Sequence, residues 1–287
     1  MTDDDHALAR ELAEEAGRRL LELRAGGGFG DESDMLRKAG DRLSHVFCVA
    51  ELARRRPGDV VLSEEGADDP ARLVAERVWI VDPLDGTREF GEPGRTDWAV
   101  HVALWERREA EGAGDLTAGA VALPAQGKVL STLDPPSPPR CDIEPVITAP
   151  TSHRTGPVAS AGTGAAGSSG PTGRLRIVVS RTRAPRFVRD ISELINVELV
   201  PWGSAGAKVA AVVCGEADAY IHGGGFYEWD TAAPVAVARA AGLHASRIDG
   251  SALVYNQVDL LMPDILVCRP ALAGSLLQAI REVTHAS

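Results

Sequence analysis

A layered α/β fold follows from three features of the chain. Apolar runs of strand length alternate with runs of helical periodicity from one end to the other, so sheet and helix layers must cover one another. The 287 residues are 44% apolar, enough for a large buried core. No glycine-rich dinucleotide fingerprint joins a strand to a helix, which argues against a Rossmann-type cofactor domain.

The elements can be read in order. Leu8, Leu12, Ala16, Leu20 and Leu23 recur at helical spacing, and the glycines at 26 to 28 stop the run. A second helical pattern follows "GFGDESDMLRKAGD", runs through Leu43, Val46, Phe47 and Ala50, and ends near Pro57 and Gly58. "DVVLSEE" reads as a short buried strand that delivers Glu64 and Glu65 at its end. "RVWIVD" is the next strand, and "TDWAVHVALWE" fits a strand with one buried face carrying Trp98, Val100, Val102 and Leu104. "LTAGAVALP" and "GKVLSTL" read as neighbouring strands joined near Pro124 to Gly127.

From Pro135 to Gly173 the composition changes to proline, then glycine and serine, with little to bury. We expect an N-terminal α/β half over 1–150, a flexible loop over 151–173, and a C-terminal α/β half over 174–287 that completes the site. In that second half "RLRIVVS", "NVELVPW", "ADAYIHG" and "PDILVCRP" read as strands. "APRFVRDISELI", "GSAGAKVAAVVCG", "DTAAPVAVARAAG" and "ALAGSLLQAIREV" read as helices. Asp230 is expected as the cap of its helix, with Pro234 in the first turn.

Charge and cysteine content narrow the function. Thirty basic against 41 acidic residues leave a net charge of −11, which argues against a surface for polymeric nucleic acid or an anionic membrane. A small phosphorylated ligand remains open, since metal ions supply positive charge locally. Cys48, Cys141, Cys214 and Cys268 are too far apart for a redox or zinc motif and read as reduced, mostly buried residues. The acidic opening "MTDDDHALARELAEE" lacks a signal-peptide core, and no later run would span a membrane, so a cytoplasmic protein is expected.

The stretch "VWIVDPLDGTREF" leads a buried strand straight into Asp82, Asp85 and Gly86. Pro83 restricts Asp82 to extended or turn geometry, and Gly86 permits close approach or a left-handed backbone. A helix starting near Thr87 would leave free N–H groups beside a bound anion. Locally, two readings stand: a metal site, or a turn residue and helix cap at a strand end. Glu64 and Asp230 also fall at element ends, and with Asp82 and Asp85 they would form an oxygen-rich cluster suited to magnesium. Without a cation, such carboxylates would raise one another's pKa values.

Five pieces in order carry a resemblance: "SEE" at 63–65, "DPLDGT" at 82–87, "VVSRTR" at 178–183, "GSAGAK" with "GEADAYIH" across 203–222, and "EWDTAA" at 228–233 followed by "AAG". The chain resembles the lithium-sensitive, magnesium-dependent phosphatases that include inositol monophosphatases and fructose-1,6-bisphosphatases. Within that group it looks most like the actinobacterial CysQ branch of 3'-phosphoadenosine 5'-phosphate phosphatases. The resemblance implies an α/β layered sandwich of the inositol monophosphatase type. It implies two or three Mg2+ ions held by Glu64, Asp82, Asp85, Asp230 and the carbonyl of Leu84. Asp41 and Thr87 would orient or activate the attacking water. The Gly86 and Thr87 amides would hold the phosphate, and Ser180, Arg181, Gly203, Ser204, Lys208 and Asp230 would meet the substrate. 3'-Phosphoadenosine 5'-phosphate, inositol phosphates and fructose 1,6-bisphosphate are the implied substrates, and dimers are common in the group.

Other assignments stay open at this point. Relatives reach the water-orienting Asp through a "SPVTxAD"-like stretch, whereas this chain has "DMLRKAGD", so Asp41 also reads as the N-cap of the second helix. Lys208 reads either as a contact to a second phosphate or as a solvent-facing lysine. Arg181 and Arg183 read as phosphate contacts or as surface ion pairs. His101 and His222 are left out of the catalytic set, His101 as a satisfied core or near-site histidine. Two rival functions are an inositol monophosphatase and a phosphate-responsive binding protein on an inactive fold.

Overall fold

The computed structural model describes residues 4–27, 33–108, 114–138, 174–182 and 184–285. The loop expected at 151–173, Cys141 and Arg183 lie outside these residues. Two five-stranded sheets organise the chain. The first contains β1 (Val60–Ser63), β2 (Arg77–Asp85), β3 (Ala99–Arg107), β4 (Gly114–Leu123) and β5 (Lys128–Ser131), in sequence order. β1 and β2 run parallel, and the remaining neighbours pair antiparallel.

The second sheet draws on β6 (Leu175–Ser180), β7 (Val197–Trp202), β8 (Ala219–His222), β10 (His244–Ser246) and β12 (Ile265–Cys268), ordered β10-β12-β8-β6-β7. A small ribbon pairs β9 (Phe226–Tyr227) with β11 (Leu261–Met262).

Helices fill the layers around and between the sheets. α1 (Asp5–Ala25) and α2 (Ser33–Arg55) cover the outer face of the first sheet, where Leu8, Leu12, Leu20, Cys48 and Leu52 pack on Trp79, Val100 and Val102. The short α3 (Thr87–Gly91) follows β2. α5 (Ala205–Val213) and α6 (Glu228–Ala240) lie between the sheets, packed against Ile80 and Ala103 on one side and Val178 and Val267 on the other. α4 (Arg186–Leu194) and α7 (Pro270–His285) close the far face on Ile177, Ile221 and Leu266. The α/β sandwich expected from the sequence is present.

Local differences have physical reasons. β3 is buried on both faces rather than one, because α1 and α2 cover one side and α5 and α6 the other. α2 begins at Ser33, which overturns the N-cap reading of Asp41 by placing it inside the helix. The buried stripe of α2 is Gly40, Ser44, Cys48 and Leu52, while Val46 of the expected stripe is 54% exposed. Small residues let the helix approach β2 closely, so size outweighed hydrophobicity in choosing the inner face. α6 starts at Glu228 after Tyr227, so Asp230 is the third helical residue rather than the cap, and Pro234 lies beyond the first turn. Among the described residues Cys48, Cys214 and Cys268 are free thiols, and no helix is long and apolar enough to cross a membrane.

The two faces of α2 should separate in an unfolding experiment. Leu52→Ala is expected to cost about 2–5 kcal/mol, and Val46→Ala less than about 0.5 kcal/mol, read from urea midpoints at constant slope. Equal losses would mean that the helix presents its other face to the sheet.

Candidate active site

Asp82 and Asp85 are three residues apart, so a regular strand would send them to opposite faces. A register shift between them changes this: Asp82 stands opposite His101 on β3, while Asp85 stands opposite Ala99. The irregularity re-aims both carboxylates to one side, as strand bulges do beside functional sites. Ligand atoms of Asp82, Asp85 and His101 all lie within 4.8 Å of one another, and all three residues are buried. This cluster is compatible with one divalent metal ion.

The second half of the chain orients Asp85. The hydroxyl of Ser204, the cap of α5, donates to Asp85 Oδ2, and the Gly206 N–H donates to the same oxygen at 2.8 Å. Ser204 Oγ in turn accepts from the Ala207 N–H at 3.0 Å. Residue 206 has to be glycine for this approach, since a Cβ there would sit 2.0 Å from His101 Nε2. Asp82 Oδ1 accepts from the Leu84 N–H at 3.0 Å. Its other oxygen, Oδ2, is buried with no hydrogen-bond donor among the described residues. A buried carboxylate oxygen without a donor fits a cation ligand, because its negative charge otherwise goes uncompensated.

His101 is the site residue that the sequence reading left aside. Its Nδ1 donates to the Trp229 carbonyl at 3.2 Å, and its Nε2 lies 3.2 Å from Asp85 Oδ2. Burial lowers its pKa, and the nearby Asp85 charge opposes that shift. The alternation of β3 was the available signal: His101 shares a face with Ala99 and Ala103, opposite the Val100–Val102 stripe.

Glu64 and Asp230 both bear on this group, Glu64 through a side-chain contact with Asp82 as well as through its charge. Desolvation raises Glu64 to about 8, reinforced first by the Asp230 charge. Asp82 rises well above the carboxylate range, through its burial and then through Glu64, Asp85 and Asp230. Asp230 Oδ2 also accepts from the Tyr227 N–H at 2.6 Å. Asp41 rises to about 7, first by desolvation and then by the Glu65 charge. Its Oδ1 accepts from the Thr87 hydroxyl at 3.4 Å, and that hydroxyl also donates to the Leu84 carbonyl at 3.0 Å.

A cavity of about 550 Å³ opens beside this group. Asp85, Gly86, Thr87, Ser180, Gly203 and Asp230 are among the residues that line it. Gly86 adopts φ 83°, a left-handed conformation that a side chain would strain, and this turns β2 into α3.

Lys208 also faces the cavity but is 4% exposed, which overturns the solvent-facing reading. Its ammonium donates to the carbonyls of Gly203 and Ser204, the latter at 2.9 Å. Desolvation lowers it to about 8 against the pull of Asp85, Glu89, Asp230 and Asp97. Arg181 is held by carboxylates, donating to both oxygens of Glu92 at 2.9 and 2.8 Å and to Glu89 at 2.7 Å. The ion-pair reading of Arg181 describes its state here.

The sequence profile of the inositol monophosphatase family matches residues 4–285. The chain belongs to the inositol monophosphatase family. It is 48% identical over 282 residues to the 3'-phosphoadenosine 5'-phosphate phosphatase of Mycobacterium leprae, covering 97% of this chain and 94% of that one. Among solved structures, CysQ from Bacteroides thetaiotaomicron is 27% identical with a TM-score of 0.67, covering 92% of this chain and 97% of that one. Inositol monophosphatase II from Staphylococcus aureus shares the fold at TM-score 0.72 and 18% identity, covering 98% and 96%.

The crowded carboxylates give a signed pH expectation. Folding raises Glu64 to about 8 and Asp41 to about 7. Their contribution to stability is full below the ordinary carboxylate pKa and is lost as pH rises through those values. A divalent cation bound at Glu64 would offset the loss there, because it requires the ionised form. Thermal melts of metal-free protein should fall in midpoint from about pH 5 to about pH 8.5, and the increase on adding a divalent cation should grow over the same range. An increase independent of pH would contradict cation binding at Glu64.

Proposed function

We propose that this chain is a magnesium-dependent phosphomonoesterase that hydrolyses 3'-phosphoadenosine 5'-phosphate to AMP and phosphate, with side activity on inositol phosphates and fructose 1,6-bisphosphate. The observation that carries the reading is the buried Asp82–Asp85–His101 group, whose Asp85 lines a polar cavity. The 48% identity to the Mycobacterium leprae phosphatase along nearly the whole chain supports the substrate.

Glu64, Asp82, Asp85, Asp230 and the Leu84 carbonyl would hold two or three magnesium ions, an all-oxygen donor set that suits this hard cation. When bound, magnesium supplies positive charge against the phosphoryl oxygens and makes water a better nucleophile at neutral pH. The chain's own residues do the positioning. The Thr87 hydroxyl, held between Leu84 O and Asp41 Oδ1, orients the attacking water. Asp41, raised to about 7, accepts the proton near neutral pH, where a general base is most effective. The Gly86 and Thr87 amides face the phosphate, and Ser180, Gly203 and Ser204 form the substrate wall. Lys208 braces that wall from below and lends it positive charge. Arg181 reaches a phosphate only by exchanging its Glu89 and Glu92 partners. Residues 174–287 thereby complete a site begun by 1–150.

The test is phosphate release by the purified protein across 3'-phosphoadenosine 5'-phosphate, inositol 1-phosphate and fructose 1,6-bisphosphate, with and without magnesium. We expect the nucleotide to have the highest kcat/KM and turnover to need magnesium. Asp82→Asn should lower kcat/KM by about 100-fold or more, since metal charge stabilisation amounts to several kcal/mol. Higher kcat/KM on inositol 1-phosphate would assign the enzyme to that substrate instead. No magnesium-dependent release from any substrate would leave a binding protein.

A further inference from the structure

Behind the cleft lies a buried polar cluster that the reaction above does not use. Glu228, the first residue of α6, is 1% exposed. Its carboxylate accepts from the backbone N–H groups of Asn256 at 2.6 Å and Gln257 at 2.8 Å. Asn256 has φ 59°, a left-handed conformation that asparagine tolerates better than most side chains.

The other side of that segment is held by Arg72, also 1% exposed. Arg72 donates to Asn256 Oδ1 at 3.0 Å and to the Gln257 carbonyl at 2.8 Å, and its own carbonyl accepts from Asn256 Nδ2 at 2.9 Å. Asp68 pairs with the guanidinium at 2.6 Å. Residues 256 and 257 are thus a fixed point, anchored to the segment that follows β1.

Glu228 transmits that fixed point to the cleft. The next residue, Trp229, offers its carbonyl to His101 Nδ1, and the one after it is Asp230. An apolar side chain would serve mere packing at 228, whereas a buried carboxylate has to repay its desolvation through directed bonds. We propose that Glu228 is a positioning residue: by gripping the Asn256 and Gln257 amides it sets where Asp230 and the Trp229 carbonyl stand against Asp82, Asp85 and His101. The proposal rests on the reading above in taking Asp230 as a metal ligand.

The test compares wild type with Glu228→Gln, whose amide keeps the shape but turns an N–H2 group toward one of the two donors. Magnesium alone is titrated calorimetrically into metal-free protein, well below the melting midpoint. The His101 ring signals are followed by nitrogen–proton NMR in the same metal-free samples. We expect Glu228→Gln to weaken magnesium binding at least tenfold and to shift the His101 Nδ1 signal, with Glu228→Asp losing less. Unchanged affinity and unchanged His101 signals, even with a lower melting midpoint, would overturn the proposal and leave Glu228 a packing residue. If Glu228→Gln does not fold, Glu228→Asp decides by the same two readouts. If wild type binds no magnesium, the metal reading fails, and the His101 signal alone decides whether Glu228 positions Trp229.

Discussion

Several carboxylates crowded at one edge of a buried seam are the constraint on which the rest of the structure turns. Asp82 is enclosed, Asp85 nearly so, and the charges of Glu64 and Asp230 bear on both Asp82 and each other. Like charges in a poorly solvated space push protons onto one another unless donors or cations intervene. The chain supplies donors unevenly. Asp85 receives a hydroxyl and a backbone N–H, while one oxygen of Asp82 receives none. That imbalance defines where positive charge is needed, and it makes the site a receptor rather than a finished ion-pair network.

The layers exist to hold this arrangement. α5 and α6 are sandwiched between the sheets, so the glycine at 206 and the carbonyl at 229 reach His101 from a rigid platform. Lys208 shows the same economy. Its ammonium is buried among carboxylates yet spends its hydrogen bonds on the Gly203 and Ser204 carbonyls, so it fixes a wall while softening the local negative field. A short-range cation of this kind balances part of the local negative charge.

The alternating pattern of strands and helices was legible because each element buries a face with its own period. The DPLDGT segment was legible for a different reason: locally it fitted a turn and cap as well as a metal site, and the other motifs in order along the chain favoured the latter. His101 was not, because a lone histidine in an apolar strand looks like core, and its role depends on which residue lies across the sheet. Pairing of β2 with β3 puts Asp82 there, a fact of register that no local pattern carries. The face of α2 was misread for a related reason. Gly40 and Ser44 attract no attention as core residues, yet their small size is what lets the helix settle on β2. Asp230 looked like a cap because helix starts are read from composition; the helix begins two residues earlier, after Tyr227, and Asp230 accepts the Tyr227 N–H from its third position.

The Asp85 contacts to Ser204 and Gly206 span 119 and 121 residues of sequence. During synthesis, the strand that bears Asp85 emerges long before the helix that orients it. A growing polypeptide therefore carries its acidic motif in an unfinished state until α5 has left the ribosome and docked. Completion of the acidic cluster becomes a late event of biogenesis, coupled to the joining of the two sheets.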